Sequence, residues 1–143
     1  MKTTNKIRGQ SGAAMVEFAL VSLLVLIPLL FIIIEGSLIL YNQAMITNAS
    51  REGARAGIVF DTSRPTEAEI TTVVNNYLQN HLMTWPEGSA TPVTDAVPDA
   101  CPGSGANITV TVDYQYNWLV IPNFLADLIG QVNLSATTAM RCE

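Results

Sequence analysis

The sequence predicts an α+β protein in which a long N-terminal membrane-spanning helix carries a small domain, built from an amphipathic helix and a short antiparallel sheet. Three observations lead to this fold class. An uncharged apolar run fills residues 18–34, an apolar stripe at helical spacing occupies residues 66–82, and apolar and polar residues alternate strictly over residues 107–117. These patterns indicate a membrane span, an amphipathic helix and a strand with one buried face.

The apolar run is long enough to cross a bilayer, and the charges before it predict its direction. Apolar character extends with few breaks to residue 41, and about 20 such residues cross the hydrocarbon, so we place the span at about residues 18–41. Lys2, Lys6 and Arg8 precede it. Because basic residues stay on the cytoplasmic side, we expect a cytoplasmic N-terminus and an exported C-terminal domain.

The composition fits an exported domain and argues against several functions. The 7 basic and 12 acidic side chains argue against nucleic-acid binding, which needs clustered Lys and Arg. One histidine, two distant cysteines and scattered carboxylates provide no catalytic or metal-binding constellation, so we expect no enzyme activity, cofactor or metal. Cys101 and Cys142 both lie on the exported side, where disulfides persist, and we favour a disulfide over two free thiols.

Helix signals continue beyond the membrane to residue 60. Ala49, Gly53 and Gly57 recur every four residues and place small side chains on one helix face. Such a face lets another backbone approach closely. It packs either against the chain's own sheet, which we slightly favour, or against another subunit, and both contacts can occur at different heights. A continuous helix over residues 13–60 would be about 72 Å long.

Two residues interrupt the apolar character of this helix. Pro28 removes one backbone hydrogen bond and therefore predicts a kink. Glu35 follows Glu17 by about five helical turns, so the two carboxylates lie on one face, roughly 27 Å apart. The simpler interpretation makes Glu35 an ordinary residue of the membrane interface, and a role paired with Glu17 is the alternative.

Residues 61–143 are predicted to form the exported α+β domain. Thr66 and Glu69 form a capping box that starts the amphipathic helix, and His81 lies near the end of that helix. Residues 85–106 are rich in proline, glycine, serine and threonine, and we interpret them as a linker.

The C-terminal part of this domain is predicted to supply two strands, over residues 107–117 and 132–141. Two strands alone are only marginally stable, so we expect them to pack on the helices. Residues 118–130 between them are too long and too apolar for a hairpin turn. They either fold back onto the core or form a patch for a partner subunit or the membrane surface. Asn123 is a candidate cap for a short helix that Gly130 ends.

Three segments resemble the TadE-like proteins, which are pseudopilins or minor pilins of tight-adherence (Tad) pili, in the type IV pilus and type II secretion superfamily. The segments are GAAMVEFAL at residues 12–20, NASREGARAG at residues 48–57 and, more loosely, LSATTAMR at residues 134–141. Phe18 replaces the Tyr usual in the major pilins, which favours the minor-pilin branch. The resemblance implies a pilin-like fold and a part in assembling an adhesive pilus.

The resemblance also implies a processing site. A prepilin peptidase would cut between Gly12 and Ala13, so that residues 1–12 are a leader and Glu17 becomes the fifth mature residue. In this superfamily that glutamate is thought to pair with the terminal amine of a neighbouring subunit, and the two charges are less costly in lipid together than apart. The candidate subunit contacts are Glu17, Phe18, Ala49, Gly53 and Gly57.

The partners implied are the prepilin peptidase, the major pilin and other minor pilins, the inner-membrane platform proteins and membrane lipid. The implied location is the bacterial inner membrane, or the pilus outside the cell. The rival hypothesis is an uncleaved, signal-anchored periplasmic domain that binds another protein, in which Glu17 has no special role.

Overall fold

A computed structural model describes residues 10–59, 64–84, 91–98 and 100–142. The N-terminal helix consists of α1 (Gln10–Val21), a π-helical turn (Ser22–Leu26) and α2 (Ile27–Ile58). The domain contains α3 (Glu67–Gln79), β1 (Val93–Val97), β2 (Asn107–Tyr116), α4 (Asn123–Ile129) and β3 (Val132–Arg141). This element order confirms the predicted α+β fold with a long N-terminal helix.

Some of the segments predicted from the sequence include residues outside the described part of the chain. These parts are the leader up to residue 9, the predicted helix end at residue 60, residues 61–63 and 143 of the domain, and residues 85–90 and 99 of the linker. Within the described part, the long helix ends at Ile58, close to the expected position.

A π-helical turn lies before Pro28, and the predicted kink itself stays a prediction. The N–H of Ile27 donates to the carbonyl oxygen of Ser22, five residues earlier. Proline has no N–H and its ring crowds the carbonyl four residues back, so the hydrogen-bond ladder widens by one residue. Pro28 itself lies in the first turn of α2, where proline is tolerated.

The three strands form an antiparallel sheet in the order β1-β2-β3. The register of β2 and β3 runs from Asn107 opposite Arg141 to Tyr116 opposite Val132. The apolar face of β2 is buried along its whole length, as the alternation predicts, and consists of Ile108, Val110, Val112, Tyr114 and Tyr116. Both segments that alternate in sequence are therefore strands.

β1 corrects the assignment of residues 85–106 to a linker. Residues 93–97 pair with β2, from Val93 opposite Asp113 to Val97 opposite Thr109. This strand is short, lies at the sheet edge and is bounded by prolines, which edge strands tolerate. Ala96 is its buried residue, so the strand has too few apolar positions to produce a recognisable period.

α3 packs its predicted apolar face into the core through Ile70, Val74 and Leu78. The capping box is also present, because the Glu69 carboxylate accepts a 2.8 Å hydrogen bond from the Thr66 N–H. The sheet, α3 and the upper part of α2 thus enclose one core.

The disulfide between Cys101 and Cys142 is present as predicted, with 5.9 Å between the Cα atoms. It ties the segment before β2 to the end of β3, where the Cys142 N–H also donates to the Ala106 carbonyl at 2.7 Å. With a sequence separation of 41, the chain-entropy model gives about 4 kcal/mol of stabilisation.

Candidate functional site

The N-terminal part of the long helix has an exposed apolar surface. Side chains from residue 12 to residue 34 are exposed, apart from half-buried Ser22 and Phe31. At 1.5 Å per residue this stretch is about 34 Å long, slightly more than the roughly 30 Å of bilayer hydrocarbon. The helix is thus long and apolar enough to serve as a membrane anchor.

Burial begins abruptly at Glu35, which is 1% exposed. Its carboxylate accepts hydrogen bonds from the Tyr116 hydroxyl at 2.6 Å and from the Leu119 N–H at 3.0 Å. It also accepts from the N–H groups of Val120 at 2.8 Å and Ile121 at 3.2 Å. The three successive backbone donors form a nest that suits an anion.

This geometry corrects the interpretation of Glu35 as an ordinary interfacial residue. Its four hydrogen-bond donors belong to the end of β2 and the loop after it, and Glu17 is not among them. Three of the donors are backbone groups of apolar residues, which no sequence pattern identifies. Tyr116 is the one donor that the sequence could indicate, because it lies on the apolar face of the predicted strand and a buried tyrosine hydroxyl usually has a hydrogen-bond partner.

Polar side chains higher on α2 attach it to the rest of the domain. The side-chain amide of buried Asn42 makes two 3.0 Å hydrogen bonds with the backbone of Met83, one to its N–H and one to its carbonyl. The Ser50 and Thr138 hydroxyl oxygens lie 2.7 Å apart and share a hydrogen bond. Since buried polar groups are costly unless paired, these contacts fix the helix in one position against α3 and β3.

The small-residue stripe of α2 contacts the chain's own core. A Cβ atom added to Gly53 would lie 2.6 Å from Val74 Cγ2, and one added to Gly57 would lie 2.9 Å from Ile108 Cδ1. The space beside both glycines is thus filled by side chains of α3 and β2. Ala49 is fully buried as well. These contacts are the intramolecular alternative, and a subunit contact by the same three residues stays a prediction.

The candidate processing residues Gly12, Ala13 and Glu17 all lie in α1 and are exposed, as is Phe18. A Cβ atom at Gly12 would meet no other atom within 4 Å. Glu17 and Phe18 are thus the candidate subunit contacts whose surface is open to another molecule. Cleavage after Gly12 and subunit pairing at Glu17 stay predictions.

β2 runs antiparallel to α2, so the two ends of the domain can be distinguished. Ile108 lies against Gly57 near the end of the helix, whereas Tyr116 contacts Glu35 about 33 Å lower on the helix axis. The Tyr116 end of the sheet is therefore next to the exposed apolar part of the helix, and the disulfide end is distant from it.

The first half of segment 118–130 folds back onto the domain, which is one of the two alternatives expected, while a contact of its second half with a partner or the membrane stays a prediction. Residues 118–121 are half-buried and return to the helix at Glu35, and the Trp118 indole N–H donates to the Gly130 carbonyl at 2.8 Å. α4 follows with its apolar side chains exposed. It begins at Asn123 after Pro122, so Asn123 is its first residue and not its cap, and it ends at Gly130 with φ of 87°, as predicted.

The tyrosine beneath this loop acts as a permanent hydrogen-bond donor. Burial raises the pKa of Tyr116 far above its usual range, and the hydrogen bond to Glu35 raises it further.

Across the described residues, no group of three or more His, Cys, Asp and Glu side chains is placed to hold a metal ion.

The N-terminal helix also carries the similarity to known proteins. Residues 12–55 match the family model of TadE-like proteins. The match covers less than a third of the chain and includes the helix from the candidate cleavage position to Gly53 of the small-residue stripe. Neither the curated proteins nor the solved structures include a match. Over residues 12–55, this chain is therefore similar to the TadE-like proteins.

Proposed function

We propose that this chain is a non-enzymatic minor pilin or pseudopilin that takes part in assembling a tight-adherence pilus. The family match over residues 12–55 carries the proposal. The helix supports it physically, because its first half is apolar and exposed while its second half holds the domain. The helix can anchor such a subunit in the bilayer before assembly, and the same apolar helix surface can then contact other subunits.

The helix crosses the bacterial inner membrane with its N-terminus in the cytoplasm, and the domain lies on the periplasmic side. The bases at Lys2, Lys6 and Arg8 favour this direction. Because the domain packs on one face of the helix from Glu35 onward, we shift the span from residues 18–41 to about residues 12–34.

Processing by a prepilin peptidase would cut after Gly12 and leave Ala13 with a free amine, four residues before Glu17. The exposed Glu17 carboxylate then pairs with the terminal amine of a neighbouring pilin. In lipid each charge alone is costly, and pairing them offsets much of that cost. The partners are the peptidase, the major and minor pilins and the inner-membrane platform.

The test compares Glu17→Ala with Val16→Ala, two truncations at adjacent exposed positions of α1. Each variant replaces the native copy, and sheared surface pili are quantified together with the processed form in membranes. We expect both variants to be cleaved, Val16→Ala to give normal pili and Glu17→Ala to give few or none. Normal piliation with Glu17→Ala would contradict the charge pairing.

A further inference from the structure

α4 exposes its apolar face, whereas a helix on the surface of a water-soluble domain normally buries that face. Its apolar side chains cover an arc of about 140°, and they are exposed: Phe124, Leu125, Leu128 and Ile129. Two of them, Phe124 at 73% and Leu128 at 82%, are exposed almost completely. A helix in water normally turns its apolar face inward, as α3 does in this chain.

The other face of α4 is turned toward the domain. Asn123, Ala126 and Asp127 line the cleft that α4 forms with Tyr116 and Trp118. The polar and small side chains therefore border this cleft, although Asn123 and Asp127 are themselves exposed, and the apolar side chains lie on the opposite side of α4. A single apolar residue on a surface needs no explanation, but four on one face of one helix indicate a contact with an apolar phase.

The position of α4 identifies that phase. Ile121 donates to Glu35, where the exposed apolar part of the helix ends, and α4 begins at Asn123. Two residues of chain reach no more than about 7 Å. The apolar face of α4 is thus held beside the end of the proposed membrane span, at the Tyr116 end of the sheet and far from the disulfide.

We propose that α4 is a second membrane contact, whose apolar face lies in the interfacial region of the leaflet nearest the domain. This inference rests on the proposed membrane span. The occupant is the lipid surface and not a charged headgroup, since α4 carries one charge, Asp127, and no basic residue. Short amphipathic helices of this kind bury their apolar face in the boundary between headgroups and acyl chains.

The contact gives the domain two attachments to one bilayer. The hydrogen bonds to Glu35 connect them, because they tie the loop before α4 to the point where the helix leaves the membrane. The domain would consequently be held at one tilt to the bilayer before assembly, and α4 would leave the lipid when the subunit is extracted.

The test uses the full chain in nanodiscs of zwitterionic phosphatidylcholine, with methyl-labelled Leu, Ile and Val. Methyl signals are recorded with a doxyl-labelled lipid, which attenuates groups in the bilayer, and separately with a water-soluble gadolinium chelate. Leu24, exposed in the proposed span, and Val97, exposed on β1 near the disulfide end, are the two controls.

We expect Leu128 and Ile129 to lose most of their signal with the doxyl lipid and to be protected from the chelate, like Leu24 and unlike Val97. Attenuation of Leu128 by the chelate alone, with Leu24 still attenuated by the lipid, would overturn the inference and leave the span intact. Protection of Leu128 from both agents would also overturn it, in favour of burial against a second copy. A Leu24 signal unaffected by the doxyl lipid would overturn the proposed span and the inference with it.

Discussion

The Tyr116 hydroxyl donates a 2.6 Å hydrogen bond to Glu35 Oε1, across 81 positions of sequence. It joins the end of β2 to the long helix at the level where the exposed apolar surface ends. A buried carboxylate costs several kcal/mol unless hydrogen bonds compensate it, and here Leu119, Val120 and Ile121 provide three more. Glu35 thereby makes the helix, the sheet and the loop before α4 one unit.

Replacing Glu35 with Gln should release this loop. The amide has one acceptor oxygen in place of two and no charge. Its NH2 group would face either the Leu119 N–H or the N–H groups of Val120 and Ile121, depending on its orientation. Since hydrogen bonds to charged groups contribute about 1.5–3 kcal/mol each, we expect a loss of at least about 2 kcal/mol. Hydrogen exchange of the residue 119–121 amides in nanodiscs should accelerate.

Glu69→Gln is the matched control for this prediction, because Glu69 is exposed and contacts Thr66 instead of the loop. Its 119–121 amides should exchange at the wild-type rate. Equal exchange in wild type and Glu35→Gln would mean that the carboxylate does not hold the loop.

Two tyrosines on the same face of β2 should respond differently to removal of their hydroxyl groups. Tyr116→Phe leaves Glu35 with one fewer donor, and we expect it to lose about 1–3 kcal/mol of unfolding free energy. The Tyr114 hydroxyl is buried without a hydrogen-bond partner in the described part of the chain. Tyr114→Phe should therefore be neutral or slightly stabilising. Urea unfolding followed by near-UV circular dichroism compares them, and equal losses would contradict this assignment.

The close packing of α2 against the domain can be tested with glycine-to-alanine changes. Gly53→Ala places a Cβ 2.6 Å from Val74 Cγ2, and such overpacking typically costs about 1–3 kcal/mol. Gly36→Ala lies on the same helix with nothing within 4 Å of the new atom, so it should keep or raise stability. Melting temperatures of the two variants measure the difference. Equal melting temperatures would show that α2 and α3 are not in close contact at Gly53.

The capping box of α3 should make a small, pH-dependent contribution. The hydrogen bond from the Thr66 backbone N–H lowers the pKa of Glu69 below its ordinary value, and the bond with the Thr66 side chain lowers it further. A lowered folded-state pKa means that the contribution is complete above the unfolded-state value of about 4.3 and is lost as the pH falls through the folded-state pKa. The difference in melting temperature between wild type and Glu69→Gln should therefore be larger at pH 7 than at pH 3. A difference independent of pH would rule out this role for the carboxylate.

The regular elements were predictable because their periodicity reflects one buried face. β2 alternates from Ile108 to Tyr116, and every second residue is buried. α3 repeats its apolar residues at helical spacing, and Ile70, Val74 and Leu78 are buried. β1 was missed because an edge strand with one buried residue and flanking prolines has no such period.

The environment of Glu35 could not be predicted, since it depends on contacts between distant residues. A carboxylate after an apolar run is equally compatible with water, headgroups or a protein partner. Its donors are the backbone N–H groups of Leu119, Val120 and Ile121, which every residue except proline has. Only the fold, which brings the end of β2 to the middle of the long helix, gives Glu35 its partners.

The central proposal, that this chain is a processed pilin subunit, is tested most directly by its intact mass and N-terminal residue after purification from native membranes. We predict a chain that begins at Ala13, and one that retains the leader when the prepilin peptidase is removed. A chain that retains the leader in both strains would contradict the account and identify a signal-anchored binding domain instead.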